Sequence, residues 1–481
     1  MSAILTDQFR LLNLQNFINN ISANNFYLFV SRNIPWDNEN IPPSPIDNYQ
    51  YYNDIYSNII ALKKLTSADF SPVIKRVNWT SGTVYSMYRP NYTTGNTEYI
   101  NQSNTNYRYP PTLTSDGYSD LFYGSNFYVM NEFYQVYKCL YNGQSPDNPS
   151  GVASIVEPTG NSTTSIKTSD GYIWKYLYTI PTSYILKFLN DYYMPVPYPG
   201  TGFPQETAVT SNAIPGAIES VVVKNKGQNY NNISKLVQVD GDWNSNSGTN
   251  ASVTITTSGG QISSAIVSGK GSKYTFGSIT LPIEFGTGTS GSLEVIISPK
   301  NGHGYNSFEE LGAYKLMINS QISYNQDTQF PIDCSYRQIG LLTNPYNYGS
   351  TTISTGNSLV GTSSMTFSST NNINFVSGEN IIQTVGSGTT AYGTVVSWNG
   401  QTQVLKYYQD RFNNSSSSNL ILFSGTNSVF GITSGAIGNS PNNYTNSSID
   451  KNSGKILFIS NEEATYRSPN QTENIKLVIE F

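Results

Sequence analysis

The 481-residue chain predicts a mainly β fold with a few short helices: a β-sandwich-like core carrying two Gly/Ser-rich β-insertions. Three observations predict it. Tyrosine and glycine are abundant, at 37 and 39 residues; tyrosine favours sheet faces and glycine marks turns. Several stretches alternate with period two between turn signals. A repeat of strand, glycine turn and tyrosine runs through the middle of the chain. The clearest stretch is Thr168–Pro181. Asp170-Gly171 is a turn signal. Tyr172, Trp174, Tyr176 and Tyr178 then fall on one face, and Ile173, Lys175, Leu177 and Thr179 on the other, before Pro181 closes the strand.

Charged residues make up only 12% of the chain and the net charge is -5. There is no Lys/Arg run to meet nucleic acid and no acidic block to act as a tail. No apolar run reaches membrane-spanning length, and residues 1–20 lack the layout of a secretory leader. The expectation is a protein made in a cytoplasm, with no nucleic-acid and no membrane partner. Cys139 and Cys334 give no disulfide framework. Tyrosine also suits protein interfaces, having an apolar body and a polar tip; most of these residues are expected to fill half-buried sheet faces.

In chain order, residues 7–21 predict a helix capped by Asp7, with Phe9, Leu12, Phe17, Ile18 and Ile21 as its apolar stripe. A strand follows at Phe26–Val30, then Ser31–Trp36 and a turn region through Pro42, Pro43 and Pro45. A second helix is expected over 47–65, capped by Asp47, because Tyr52, Ile55, Tyr56, Ile59 and Leu62 recur at helical spacing. Residues 66–200 read as strands between turns, clearest at Val73–Trp79 and Asn126–Leu140, with a short helix from Thr182 to Asn190. Residues 1–200 are the N-terminal part of the core.

Composition shifts near Gly200, and 201–300 reads as a β-insertion. Within it Ile218, Ser220, Val223, Lys226, Gly227 and Tyr230 recur as Ile262, Ser264, Val267, Lys270, Gly271 and Tyr274. Each unit is a strand running into a glycine turn with an anchoring tyrosine. Residues 301–345 return to core character. Ser307–Glu310 has the pattern of a capping box, and Arg337–Pro345 reads as a strand stopped by proline. Residues 346–450 form a second β-insertion, with a polar loop at Asn413–Asn419. Strands at Lys455–Ile459 and Ile475–Phe481 complete the core, the latter as a docked terminal strand.

Little of the sequence points to chemistry. The single histidine, His303, sits in the turn Gly302-His303-Gly304-Tyr305, with neither cysteine near it in sequence. A turn or capping role is its reading, against a catalytic or metal role. Asp240–Asn246 alternates oxygen ligands like a calcium loop, but Ser245 and Ala251 stand where Gly and Glu belong, so a polar hairpin loop is favoured. Asp170, Glu309 and Glu310 are candidate acids with nothing to pair them for glycan hydrolysis. No catalytic residue, metal ligand or cofactor is assigned.

Six segments in order carry a family resemblance. Besides Thr168–Pro181, they are Phe29–Trp36, Val73–Trp79 (with Arg76, Asn78 and Trp79), Val136–Leu140, Ile339–Pro345 and Gly454–Phe481. In this order they resemble the baseplate wedge subunit of T-even-like contractile-tailed bacteriophages, the gene product eight family. Asn78 stands for the family's Asp, and Asn461-Glu462-Glu463 departs from its pattern. The resemblance covers roughly 1–200, 301–345 and 451–481. It implies a mostly β structural subunit of the virion tail baseplate, a homodimer that contacts other wedge subunits and performs no catalysis. The residues singled out as interface or fold anchors are Arg32, Pro35, Trp36, Trp79, Asp170, Gly171, Tyr172 and Trp174. Arg32, Pro35 and Trp36 read as a strand end pinned by a buried Trp, with Arg paired to a carboxylate, or alternatively as an interface hot spot. The rival function is a receptor- or glycan-binding tail protein, with a tail-associated hydrolase third.

Overall fold

A computed structural model describes residues 7–88, 126–145, 148, 150–323, 329–386, 388–410 and 420–481. The loop expected at Asn413–Asn419 lies outside them. Among the described residues 28 strands stand against five α-helices, in several antiparallel sheets, so the chain is mainly β with few short helices. It forms two compact units, each built from separated segments. The first comprises Met1–Phe17, Phe70–Met317 and Val478–Phe481, and the second Ile18–Asp69 and Ile318–Leu477.

In the first unit the centre is a four-stranded sheet in the order Tyr128–Met130, Gln135–Asn142, Tyr172–Thr179, Ile166–Lys167. The two middle strands are buried on both faces. The expected alternation of Tyr172–Thr179 therefore sorts residues between two interiors, not between core and water. Its aromatic face joins a core of Tyr85, Val129, Tyr137, Cys139, Tyr172, Trp174 and Tyr176. The strand stops before Pro181, and a helix at Thr182–Phe188 follows, close to the one expected. The first helix spans Asp7–Ile21 as expected, and Phe17 packs its ring 5.2 Å from that of Phe481.

The repeat in 201–300 is structural. The strand Ile218–Gln228 pairs with Thr289–Ile297, and Gln261–Gly269 pairs with Ser252–Ser258. Gly227 (φ +65) backs onto Thr289 O and Gly291 N; Gly271 (φ +59) backs onto Thr249 O and Ala251 N. Tyr230 Oη then accepts from Gly291 N at 3.1 Å, and Tyr274 Oη from Ala251 N at 2.8 Å. Gly-Thr-x-(Ala/Gly)-Ser, at Gly248–Ser252 and Gly288–Ser292, is thus a second half of the repeat, visible once its partner strand is known.

The second unit holds a five-stranded sheet in the order Ser358–Val360, Ile59–Leu65, Phe26–Ser31, Cys334–Thr343, Lys455–Arg467. Phe26–Ser31 is paired on both sides and wholly buried, which is why it reads as an unbroken apolar run. The helix expected over 47–65 is shorter. It runs from Tyr49 to Asn58, capped by the side chain of Asn48, not Asp47, and Ile59–Leu65 is a strand. Ile59 and Leu62 keep helical spacing, but as a strand the segment is paired on both sides, Ala61–Lys63 lying between Leu28–Val30 and Ser358–Val360, and β-branched Ile59-Ile60 favour the extended form. Residues 363–445 carry an eight-stranded antiparallel sheet around Met365, Phe367, Phe375, Val395, Leu405 and Phe423.

Glycines separate into two kinds. Gly171 (φ +91) has open space where a Cβ would stand, whereas Gly271 would place one 2.7 Å from two backbone atoms. Gly171→Ala should therefore cost only the left-handed backbone term, about 1–2 kcal/mol. Gly271→Ala should cost distinctly more, as read by thermal unfolding of the two variants side by side.

Candidate functional site

The residues singled out from sequence fall at two places. In the second unit, Arg32 (φ 55) ends the Phe26–Ser31 strand and lays its guanidinium 4.0 Å over the Trp36 ring. Its Nη2 donates to Pro35 O at 3.2 Å. Trp36 is 9% exposed; its Nε1 donates to Glu462 O at 2.9 Å and its backbone N to Glu39 Oε1 at 2.8 Å. Trp36 is buried at this strand end, but the carboxylate-paired arginine is Arg337, whose Nε meets both Glu39 oxygens at 2.8 and 3.0 Å. Arg337 also donates to Asn33 O at 2.9 Å. Arg32 instead stacks on the Trp36 ring, where the cation meets the negative face of the indole.

In the first unit, Asp170 and Gly171 make the turn before the aromatic strand. Asp170 Oδ2 accepts from Ile155 N at 2.9 Å, Val156 N at 3.0 Å and Ser154 Oγ at 3.1 Å. Its Oδ1 accepts from Thr168 Oγ1 and Tyr172 N. Burial opposes ionisation of this carboxyl, but the hydrogen bonds from Thr168, Ile155, Val156 and Tyr172 prevail and hold it below the usual carboxylate range. Tyr172 and Trp174 stack at 5.2 Å and 11°, and Tyr85 meets Trp174 edge-on at 5.6 Å. Tyr172 Oη donates to Val152 O at 2.6 Å and accepts from Tyr85 N at 3.1 Å. Trp79 joins this cluster half-buried, its Nε1 donating to Ser154 Oγ at 3.1 Å. Arg76 Nε donates to Asn78 Oδ1 at 2.9 Å, so two of the Val73–Trp79 motif residues hold each other.

Sequence reasoning missed a buried ionic cluster in the same unit. Lys138 and Lys175 stand directly opposite each other on adjacent strands. Lys138 is fully buried against Glu310, and its Nζ lies 3.9 Å over the Tyr88 ring. Lys175 donates to Thr163 O at 2.7 Å and faces Glu219 Oε2 at 3.5 Å; Lys270 approaches the same oxygen at 3.0 Å. Glu310 Oε1 accepts from Gly304 N at 2.7 Å. Burial opposes its ionisation, but Lys138 and the nearby His303 together more than offset this and bring its pKa down to about 2. His303 is 1% exposed, its Nδ1 3.9 Å from Glu310 Oε2, and neither ring nitrogen has a hydrogen-bond partner. Burial and then the Lys138 cation lower its pKa to about 4. The legible signal was a lysine sharing a strand face with Ile173 and Leu177, where a buried charge must find a partner.

One local expectation is corrected. Asn306, not Ser307, caps the helix Ser307–Glu310, accepting from Glu309 N at 3.4 Å. Ser307 Oγ is buried without a partner, and Glu310 is held by Lys138. In the Asp240–Asn246 loop, the Asp242 carboxylate is occupied by Thr275 Oγ1, Thr275 N, Phe276 N and Asn246 Nδ2. Among the described residues no group of three or more His, Cys, Asp or Glu could hold a metal ion.

The anchors together describe a β protein whose sequence landmarks are occupied in packing: stacked aromatics, a saturated carboxylate and a pinned strand end. Residues 3–212 match the model of the family described as Bacteriophage T4, Gp8. The baseplate wedge protein gp8 of Enterobacteria phage T4 is 24% identical over 212 residues, 41% of this chain. The chain covers 61% of that relative's length. This match bears out the resemblance read from the motifs over residues 3–212, which are similar to the Gp8 family. Four of the six motif segments lie within that match; Ile339–Pro345 and Gly454–Phe481 lie beyond it.

Removing Lys138 would leave the Glu310 carboxylate buried and unpaired. Lys138→Met should cost about 3–5 kcal/mol, with the Lys138→Met/Glu310→Gln double variant recovering part of it in the same denaturation experiment. His303 adds a pH dependence. Its folded pKa of about 4 lies below the ordinary 6.5, so between these values the unfolded chain binds the extra proton. The contribution is intact above pH 6.5 and is lost as pH falls toward 4, by about 3 kcal/mol in full. His303→Gln should flatten the upper part of that fall, and NMR titration of the single imidazole should show it neutral to well below pH 6.

Proposed function

We propose that the chain is a structural subunit of the baseplate wedge of a contractile-tailed bacteriophage, working by protein–protein contacts and without catalysis or a cofactor. The carrying observation is the family match over residues 3–212, which contains Arg32, Pro35, Trp36, Trp79, Asp170, Gly171, Tyr172 and Trp174. The environments of these residues support a fold-anchoring role. Asp170 is saturated with hydrogen bonds and Trp36 and Trp174 are buried, so each contributes rigidity, not a reacting group.

In this reading the protein is made in the host cytoplasm, resides in the virion tail baseplate and acts as a homodimer that contacts other wedge subunits. Residues 1–200, 301–345 and 451–481 supply the wedge core, and 201–300 and 346–450 are insertions that decorate it. Permanent contacts of this kind bury roughly 2,000 Å² or more, so a rigid, densely cross-linked scaffold suits them. No observation favours the receptor- or glycan-binding alternative.

Mass spectrometry of purified tails should find the chain, and light scattering of the purified full-length protein should give the mass of a dimer. Its absence from tails, or a stable trimer in solution, would count against the assignment.

A further inference from the structure

We propose that a cavity in the first unit is a docking site for an acidic, apolar segment of a different polypeptide; this rests on the structural-subunit reading above. The cavity has a volume of about 1260 Å³. That exceeds the range of roughly 300–1,000 Å³ usual for small-molecule pockets and suits a stretch of chain. Much of its wall is apolar, with Leu11, Met87, Leu140, Ile296 and Phe308 among the residues that line it.

Two features give the cavity its chemistry. The first is His303, which lines it while 1% exposed and without a hydrogen bond to either nitrogen. A buried polar group left unpaired costs on the order of 1–3 kcal/mol. A neutral imidazole offers one donor and one acceptor, which a Ser, Thr, Tyr or Asn side chain of an incoming segment would satisfy.

The second feature is charge. Lys273 N donates to Pro215 O at 2.6 Å and Gly216 N donates to Pro299 O at 3.2 Å. Lys273 and Lys300 therefore stand on one lip of the cavity, both exposed. Neither has an ion pair among the described residues, whereas Glu294 on the same wall is neutralised by Lys224 at 3.0 Å. Glu309 is the one exposed lining acid left over, so the open charge is net positive. A basic segment would be repelled at this lip, and a neutral one would cover two ammonium groups without pairing them.

The test uses assembled tails. A photoreactive phenylalanine analogue is placed at position 12, where Leu12 lines the cavity and is half exposed. Irradiation should join it to another protein, at a peptide that mass spectrometry shows to be apolar with at least one Asp or Glu. That peptide, made synthetically, should bind the full-length protein and shift the single imidazole resonance. Lys273→Glu/Lys300→Glu should weaken binding roughly tenfold or more while leaving the thermal transition in place. Cross-links confined to the chain's own residues 89–125, to a second copy of the chain, or to a basic peptide overturn the inference. So does equal affinity for the charge-reversed variant. Tails that lack the chain altogether would instead sink the structural-subunit reading.

Discussion

Two lysines face each other across adjacent strands in the first unit, and the surrounding architecture makes that arrangement tolerable. Like charges directly opposite on a sheet repel, and burial removes the water that would screen them. Lys138 and Lys175 persist because Glu310 and Glu219 arrive from outside the sheet. Glu219 is the second residue of the strand Ile218–Gln228 and Glu310 ends the helix Ser307–Glu310. The ion pairs therefore fix where the repeat-containing segment and the return segment meet the central sheet. Apolar packing alone would hold these segments with less directional specificity, since it does not discriminate between nearby registers.

The second unit solves a related problem differently. Its central strand, Phe26–Ser31, needs a defined end, and the chain provides one at Arg32–Trp36. Arg337 spans this corner, bonding Glu39 and Asn33 O, while Asn33 Nδ2 donates to Val395 O at 2.6 Å in the eight-stranded sheet. The Trp36 indole closes the corner onto Glu462 O. One short segment thus links two sheets of the same unit, and its charged and aromatic residues are occupied by that task.

This use of residues supports the structural role proposed above. Of the candidate acids, Asp170 is saturated by hydrogen bonds and Glu310 is paired with lysine, and the one imidazole has no nucleophile bonded to it. A subunit that carries load between neighbours benefits from such over-determination, because each anchored turn removes a local way to yield.

The sequence by itself determined the β class, the aromatic strand and its turn at Asp170-Gly171, the strand from Phe26, and the repeated glycine–tyrosine locks. These depend on period-two alternation and on backbone angles that favour glycine, which are local properties written in neighbouring residues. Tertiary structure decided the rest. Ile59–Leu65 became a strand because partners on both sides outweighed its helical spacing. Lys175 turned inward to meet Glu219, and Glu310, which looked like a capping residue, pairs with Lys138. The carboxylate expected beside Arg32 belongs to Arg337 instead. Each of these depends on a residue far away in the chain, and a buried charge chooses its partner by proximity in space, which spacing along the sequence does not encode.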